Sequence, residues 1–123
     1  AAGKGFTMTD QVSRKETRNA LYHLIIEEDV EGFNARRAQE NNCDMRDLDF
    51  RSQDLRRFNV EGLDFSGCYF RQADLRGLDL RTCRLEGASI HRAKISGVFF
   101  PAELSPGEIR LSLEFGTRMR YTL

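Results

Sequence analysis

The chain has 123 residues, enough for one domain with a modest core, and 40% of them are hydrophobic. Nineteen Lys and Arg balance nineteen Asp and Glu, so bulk electrostatics favours neither a strongly acidic nor a strongly basic partner. No apolar run approaches the roughly 18 residues of a membrane-spanning helix, and the first residues lack the apolar stretch of a secretory signal. No membrane segment and a cytoplasmic location are therefore expected.

Residues 1–12 read as a flexible N-terminus, with Met8 as a natural start. Ser13-Arg14-Lys15-Glu16 has the pattern of a capping box. Ala20, Leu21, Leu24 and Ile25 then form an apolar stripe at helical spacing. Glu27-Glu28-Asp29 interrupts it, and Asp29 can cap a second short helix carrying Val30, Phe33 and Ala38. Asn41-Asn42 reads as the turn that follows. Residues 13–42 are thus expected to be a helical cap, because the end of a repeat stack exposes an apolar cross-section and unpaired backbone.

From Met45 a large apolar residue recurs at every fifth position: Met45, Phe50, Leu55, Val60, Phe65, Phe70, Leu75, Leu80, Leu85, Ile90, Ile95 and Phe100. A strand would send residues five apart to opposite faces, and a straight helix would rotate them by about 140°. Only a chain that turns a corner in each unit keeps all twelve inside. The residue two before each centre is small or apolar except at Gln53, the one before it is mostly Asp or Asn, the one after is often Arg, and Gly frequently closes the unit. Cys43, Cys68 and Cys83 all fall two before a centre, so they read as small buried hydrophobes, not ligands. Cys43 and Cys83, two turns of the stack apart, would exceed disulfide reach, which fits a reducing compartment.

The units Gln53-Asp54-Leu55-Arg56-Arg57 and Ala73-Asp74-Leu75-Arg76-Gly77 resemble those of the pentapeptide-repeat family. The resemblance covers residues 43–102. It implies a mainly β fold, a right-handed quadrilateral β-helix of about three coils with four units per coil. The flanking segments are similar to the helical extensions of some short bacterial members, which would cap it with N-terminal helices and a short C-terminal helix.

After Pro101 the beat stops, and residues 103–123 form a C-terminal helix and tail. Ile109, Leu111, Leu113 and Phe115 alternate as a strand would, but Ser105-Pro106-Gly107-Glu108 and Gly116 are helix punctuation. A helix over 106–115 is favoured, with Ile109 and Leu113 facing the repeats. Leu111 and Phe115 would then need cover, either from Met119 and Tyr121 folding back or from a second copy of the chain in a homodimer; folding back is favoured.

Stacking at twenty residues sorts outer residues into columns: Asp44, Asp64, Arg84; Asp49, Tyr69, Ser89; Asp54, Asp74, Lys94; and Asn59, Asp79, Phe99. The candidate interaction surface is Arg51, Arg56, Tyr69, Arg71 and Arg76. The competing reading, that each Arg pairs with flanking Asp in a solvated salt-bridge network, is favoured for the arginines. Tyr69 has no evident intramolecular cover, whereas Phe99 is expected under the C-terminal helix. His23 and His91 have no nucleophile beside them, the cysteines lack metal-ligand spacing, and no glycine-rich phosphate loop occurs. No enzyme, cofactor or metal is expected.

The reading is a non-enzymatic interaction or scaffold module for an unidentified protein partner. The resemblance implies one alternative: some members imitate duplex DNA, bind type II topoisomerases such as gyrase and protect them from quinolone drugs. The neutral charge and outward arginines weigh against it. Nucleic-acid binding through the arginines is a further alternative, which interspersed Asp weighs against.

Overall fold

The computed structural model describes residues 8–40 and 44–122. Asn41-Asn42, Cys43 and the side chains of the Ser13 capping box lie outside what it describes. Three helices flank one coiled segment: α1 (Met8–Ile26), α2 (Val30–Arg37) and α3 (Pro106–Phe115). α1 takes in residues 8–12, expected to be flexible; no Gly or Pro interrupts the stretch from Met8. α2 starts where expected, with the Asp29 Oδ1 accepting the Gly32 N–H at 2.9 Å.

Between α2 and α3 the backbone closes on itself every twenty residues. Asp44 bridges Asp64 and Asp64 bridges Arg84; Asp49 bridges Tyr69 and Tyr69 bridges Ser89; Asp54 bridges Asp74 and Asp74 bridges Lys94; Asp79 bridges Phe99. All are parallel. The Phe50 N–H donates to the Tyr69 carbonyl at 2.7 Å, and the Tyr69 N–H returns to the Leu48 carbonyl at 3.0 Å. Ten of the twelve centres are buried; Ile95 and Phe100, last in their columns, are only partly so. Phe50, Phe65 and Phe70 form an aromatic knot, with Phe50 and Phe70 stacked at 5.4 Å and Phe65 edge-on to both.

The expected mainly β architecture, a right-handed quadrilateral β-helix of about three coils, requires correction. Among the described residues no β-strand and no sheet forms; the columns are joined by isolated single-residue bridges. Each five-residue unit gives most of its backbone to the corner. The residue two after the centre has positive φ at Asp47, Ser52, Gln72 and Arg92 as well as at Gly62, Gly67, Gly77, Gly87 and Gly97. What is left between corners is too short for consecutive ladder pairing.

Both ends are covered from outside the repeats. At the first turn, the Tyr22 hydroxyl donates to the Asp49 carbonyl at 2.6 Å, Asn34 Nδ2 to the Arg57 carbonyl at 3.1 Å, and Arg37 to the Asn59 and Glu61 carbonyls. Arg18 donates to the Arg46 carbonyl. Phe33 packs edge-on against Phe58 at 5.2 Å and Tyr22 against Phe50 at 5.4 Å.

At the last turn, residues 106–115 are helix, not strand. The Ser105 Oγ accepts the Glu108 N–H at 3.1 Å, Pro106 opens α3, and Gly116 ends it at φ 74°. The tail folds back: Met119 is fully buried and exchanges backbone hydrogen bonds with Gly87 and Ala88. The Tyr121 hydroxyl accepts the Leu85 N–H, and the Ser112 Oγ accepts the Ile90 N–H at 2.9 Å. Leu111 and Phe115 nevertheless stay exposed. Among the described residues the N–H groups of Ile95, Gly97 and Phe100 meet no acceptor, so this end is sealed over only part of its cross-section.

Candidate interaction surface

The outer face follows from the unit. The acid before the centre and the Arg after it flank a buried side chain and both point outward. In five units the two meet: Asp44–Arg46 at 2.9 Å, Asp49–Arg51 at 2.8 Å, Asp54–Arg56 at 2.8 Å, Asp74–Arg76 at 2.7 Å and Asp79–Arg81 at 2.7 Å. In each unit the carboxylate also accepts the backbone N–H of the same Arg. That is an Asx turn, so the acid holds the corner and the Arg together. Arg56 spans two turns of chain, reaching Asp74 at 3.3 Å. The Arg76 guanidinium pulls the Asp74 carboxyl down to about 2, and Arg81 does the same for Asp79.

Three of the five candidate residues, Arg51, Arg56 and Arg76, are thus tied to carboxylates two residues before them. Tyr69 and Arg71 are not. Tyr69 occupies the acid's position in its own unit, so Arg71 has no carboxylate to hold; among the described residues it forms no ion pair. Tyr69 is 41% exposed, and its cover comes from the tail. The Arg118 guanidinium lies 4.8 Å over the Tyr69 ring, donates to its hydroxyl, and donates to the Gly87 carbonyl at 3.1 Å. Nothing in the sequence singles out Arg118, which stands 49 positions from Tyr69 with only a basic tail around it.

Phe99 is not covered by α3. It is 56% exposed, and the Arg81 guanidinium sits 4.8 Å over its ring. Cys68 and Cys83 are buried, their Sγ atoms donating to the Met45 carbonyl at 2.8 Å and the Val60 carbonyl at 3.1 Å. Burial pushes the Cys68 thiol up to about 12 and the Cys83 thiol up to about 11. Among the described residues no cluster of His, Cys, Asp or Glu could hold a metal ion, and no helix is long and apolar enough to cross a membrane.

A backbone that turns in fives, returns every twenty residues and exposes paired acid–arginine columns defines a repeat protein stacked around one apolar axis. Residues 43–77 and 64–100 match the family model for pentapeptide repeats, in eight copies, and the chain is a pentapeptide-repeat protein. No curated protein and no solved structure matches it.

Proposed function

We propose that the chain is a non-enzymatic protein-interaction or scaffold module whose contact surface centres on Tyr69 and Arg71. Pentapeptide repeats generally point to such a module. The observation that carries the reading is the break in the acid–arginine pairing at the Tyr69 unit, which leaves an exposed aromatic and an uncompensated cation side by side. The paired arginines Arg51, Arg56 and Arg76 frame this surface as a neutral border. The pairing also counts against imitation of DNA, because the outward Asp columns are neutralised where a DNA mimic needs them bare.

Affinity capture from a lysate of the cells that encode the protein tests the reading. Wild type is expected to recover proteins that a Tyr69→Ala, Arg71→Glu double variant loses. Identical recovery by both would show that this surface binds nothing.

The exposure of Leu111 and Phe115, one turn apart on α3, favours a second contact, a homodimer through that helix face. Light scattering on wild type and a Leu111→Glu, Phe115→Glu variant tests it: a mass that is monomeric in both removes the dimer.

A further inference from the structure

We infer that the partner presents an extended acidic protein segment, with carboxylates at alternate positions, to a basic strip made by Arg71, Arg92 and Arg118. This rests on the interaction-module reading above and gives that module its ligand chemistry.

The strip follows from a single departure in the repeat. Of the six arginines that directly follow an apolar centre, five have an Asp two residues before them and are held by it. Arg71 has Tyr69 there instead. Tyr69 also attracts a second cation, since Arg118 lies over its ring with no ion-pair partner among the described residues. Arg92 is placed one turn of chain further on. The preceding residue, His91, stacks next in the Arg71 column and accepts the Gln72 N–H at 2.9 Å. Arg92 is exposed at a corner with φ 56° and likewise forms no ion pair among the described residues.

The carboxylates around the strip are few. Asp49, the neighbour of Tyr69 in its column, is occupied by Arg51. Asp47 lies against Gly67 at the corner and makes no ion pair with Arg118 among the described residues. The chain as a whole is neutral, yet this area carries three cations that form no ion pair among the described residues, with the Asp47 carboxylate near Arg118 but not bonded to it.

The geometry selects the kind of anion. Tyr69 and Arg71 flank one buried residue on the same outer wall, so Arg118, held over the Tyr69 ring, and Arg71 present two cations side by side. An extended peptide with carboxylates at alternate positions carries them along one edge, which would set one on Arg118 and the next on Arg71. A single-stranded nucleic acid would want the Tyr69 face for base stacking, and Arg118 already covers it. A duplex would run on past the strip onto units whose arginines are already held by Asp49, Asp54 and Asp74 and so offer its phosphates no free cation. A short acidic segment meets neither obstacle.

Fluorescence anisotropy with a labelled (Glu-Ser)4 peptide tests this, with a (Lys-Ser)4 peptide, a labelled DNA duplex and a labelled single-stranded RNA alongside. The informative variant is Tyr69→Asp. It rebuilds the acid–arginine turn used by the five other units, so the fold has a precedent for it and Arg71 is neutralised without being removed. Wild type is expected to bind the acidic peptide and not the basic one, with affinity falling as salt rises. Tyr69→Asp is expected to weaken binding by about threefold to fivefold, and Tyr69→Phe, which keeps the ring under Arg118, to stay within about twofold.

No binding of the acidic peptide by wild type, equal binding by Tyr69→Asp, or tighter binding of either nucleic acid would each overturn the inference. Failure here is separable from failure of the module reading. If the lysate experiment shows partners lost by the double variant while the acidic peptide does not bind, the surface stands and its ligand is not acidic. If the lysate experiment shows no difference either, both readings fall.

Discussion

Asp74 accepts the Arg76 backbone N–H at 3.2 Å and the Arg76 guanidinium at 2.7 Å. Asp79 does the same for Arg81, at 3.0 and 2.7 Å. Both side chains reach solvent, so Coulomb attraction alone would do little for stability; their value lies in the turn they hold. The charge state still reports on folding. Each carboxyl titrates at about 2 in the folded chain against an ordinary 3.8. Between those values the unfolded chain binds more protons than the folded one, so stability rises with pH across the window. The contribution is complete above pH 4 and is lost as pH falls toward 2. Asp44 and Asp54 are shifted the same way by Arg46 and Arg56 and add to it. The melting temperature should therefore be flat from pH 7 to about 4.5 and fall between about 4 and 2. An Asp74→Asn, Asp79→Asn variant should melt lower than wild type at pH 7 and lose less on acidification. An equally deep acid drop in that variant would mean that other groups control it.

α3 is a cap as much as a helix. Its Ser112 is fully buried, and the Oγ supplies the acceptor that a further turn of the coil would have given the Ile90 N–H. Ser→Ala in an exposed helix adds up to about 0.5 kcal/mol of helix propensity. Here the same change leaves a buried N–H unpaired, which costs about 1–3 kcal/mol. The lost hydrogen bond outweighs the gain in propensity, so Ser112→Ala should destabilise by roughly 1–2 kcal/mol in urea denaturation, and a stabilised variant would refute the capping role. The inward face of this Ser was legible in the sequence, its partner was not. The favoured helix over 106–115, with Ile109 and Leu113 toward the repeats, carries Ser112 on the same face, but no pattern names the Ile90 N–H as what it meets. The centres Met45 to Ile90 were legible because burial repeats with the unit. The columns were legible because four units make one turn. The absence of strands was not, since the same period suits a ladder or a run of corners, and how much backbone each corner consumes is not a matter of side-chain pattern. The Arg118–Tyr69 contact was hidden for another reason: it joins the tail to a unit two turns of coil away, and no periodicity relates them.

The two ends of the stack are treated unequally. The first turn has its carbonyls at Arg46, Asp49, Arg57, Asn59 and Glu61 taken up by Arg18, Tyr22, Asn34 and Arg37. Leu21, Ile25 and Phe33 lie fully buried over its apolar cross-section. The last turn is sealed at Leu85, Gly87, Ile90 and Arg92 and left bare at Ile95, Gly97 and Phe100. A stack of this kind is held by contacts between neighbouring turns, so a bare end recruits whatever backbone it meets. Stripping the well-sealed end should have the larger effect. Deletion of residues 1–40 exposes five carbonyls together with Met45, Phe50 and Phe58, and should give concentration-dependent oligomers in size-exclusion chromatography with light scattering. An Asn34→Ala, Arg37→Ala variant leaves the apolar cover in place and removes only polar caps. It should keep the wild-type mass and melt slightly lower, because exposed edge carbonyls exchange their side-chain donors for water, at about 1 kcal/mol or less each. If the deletion keeps the wild-type mass and melting temperature, the helices are passengers and the coil stands alone. If the polar variant also aggregates, the edge carbonyls rather than the apolar cover decide self-association.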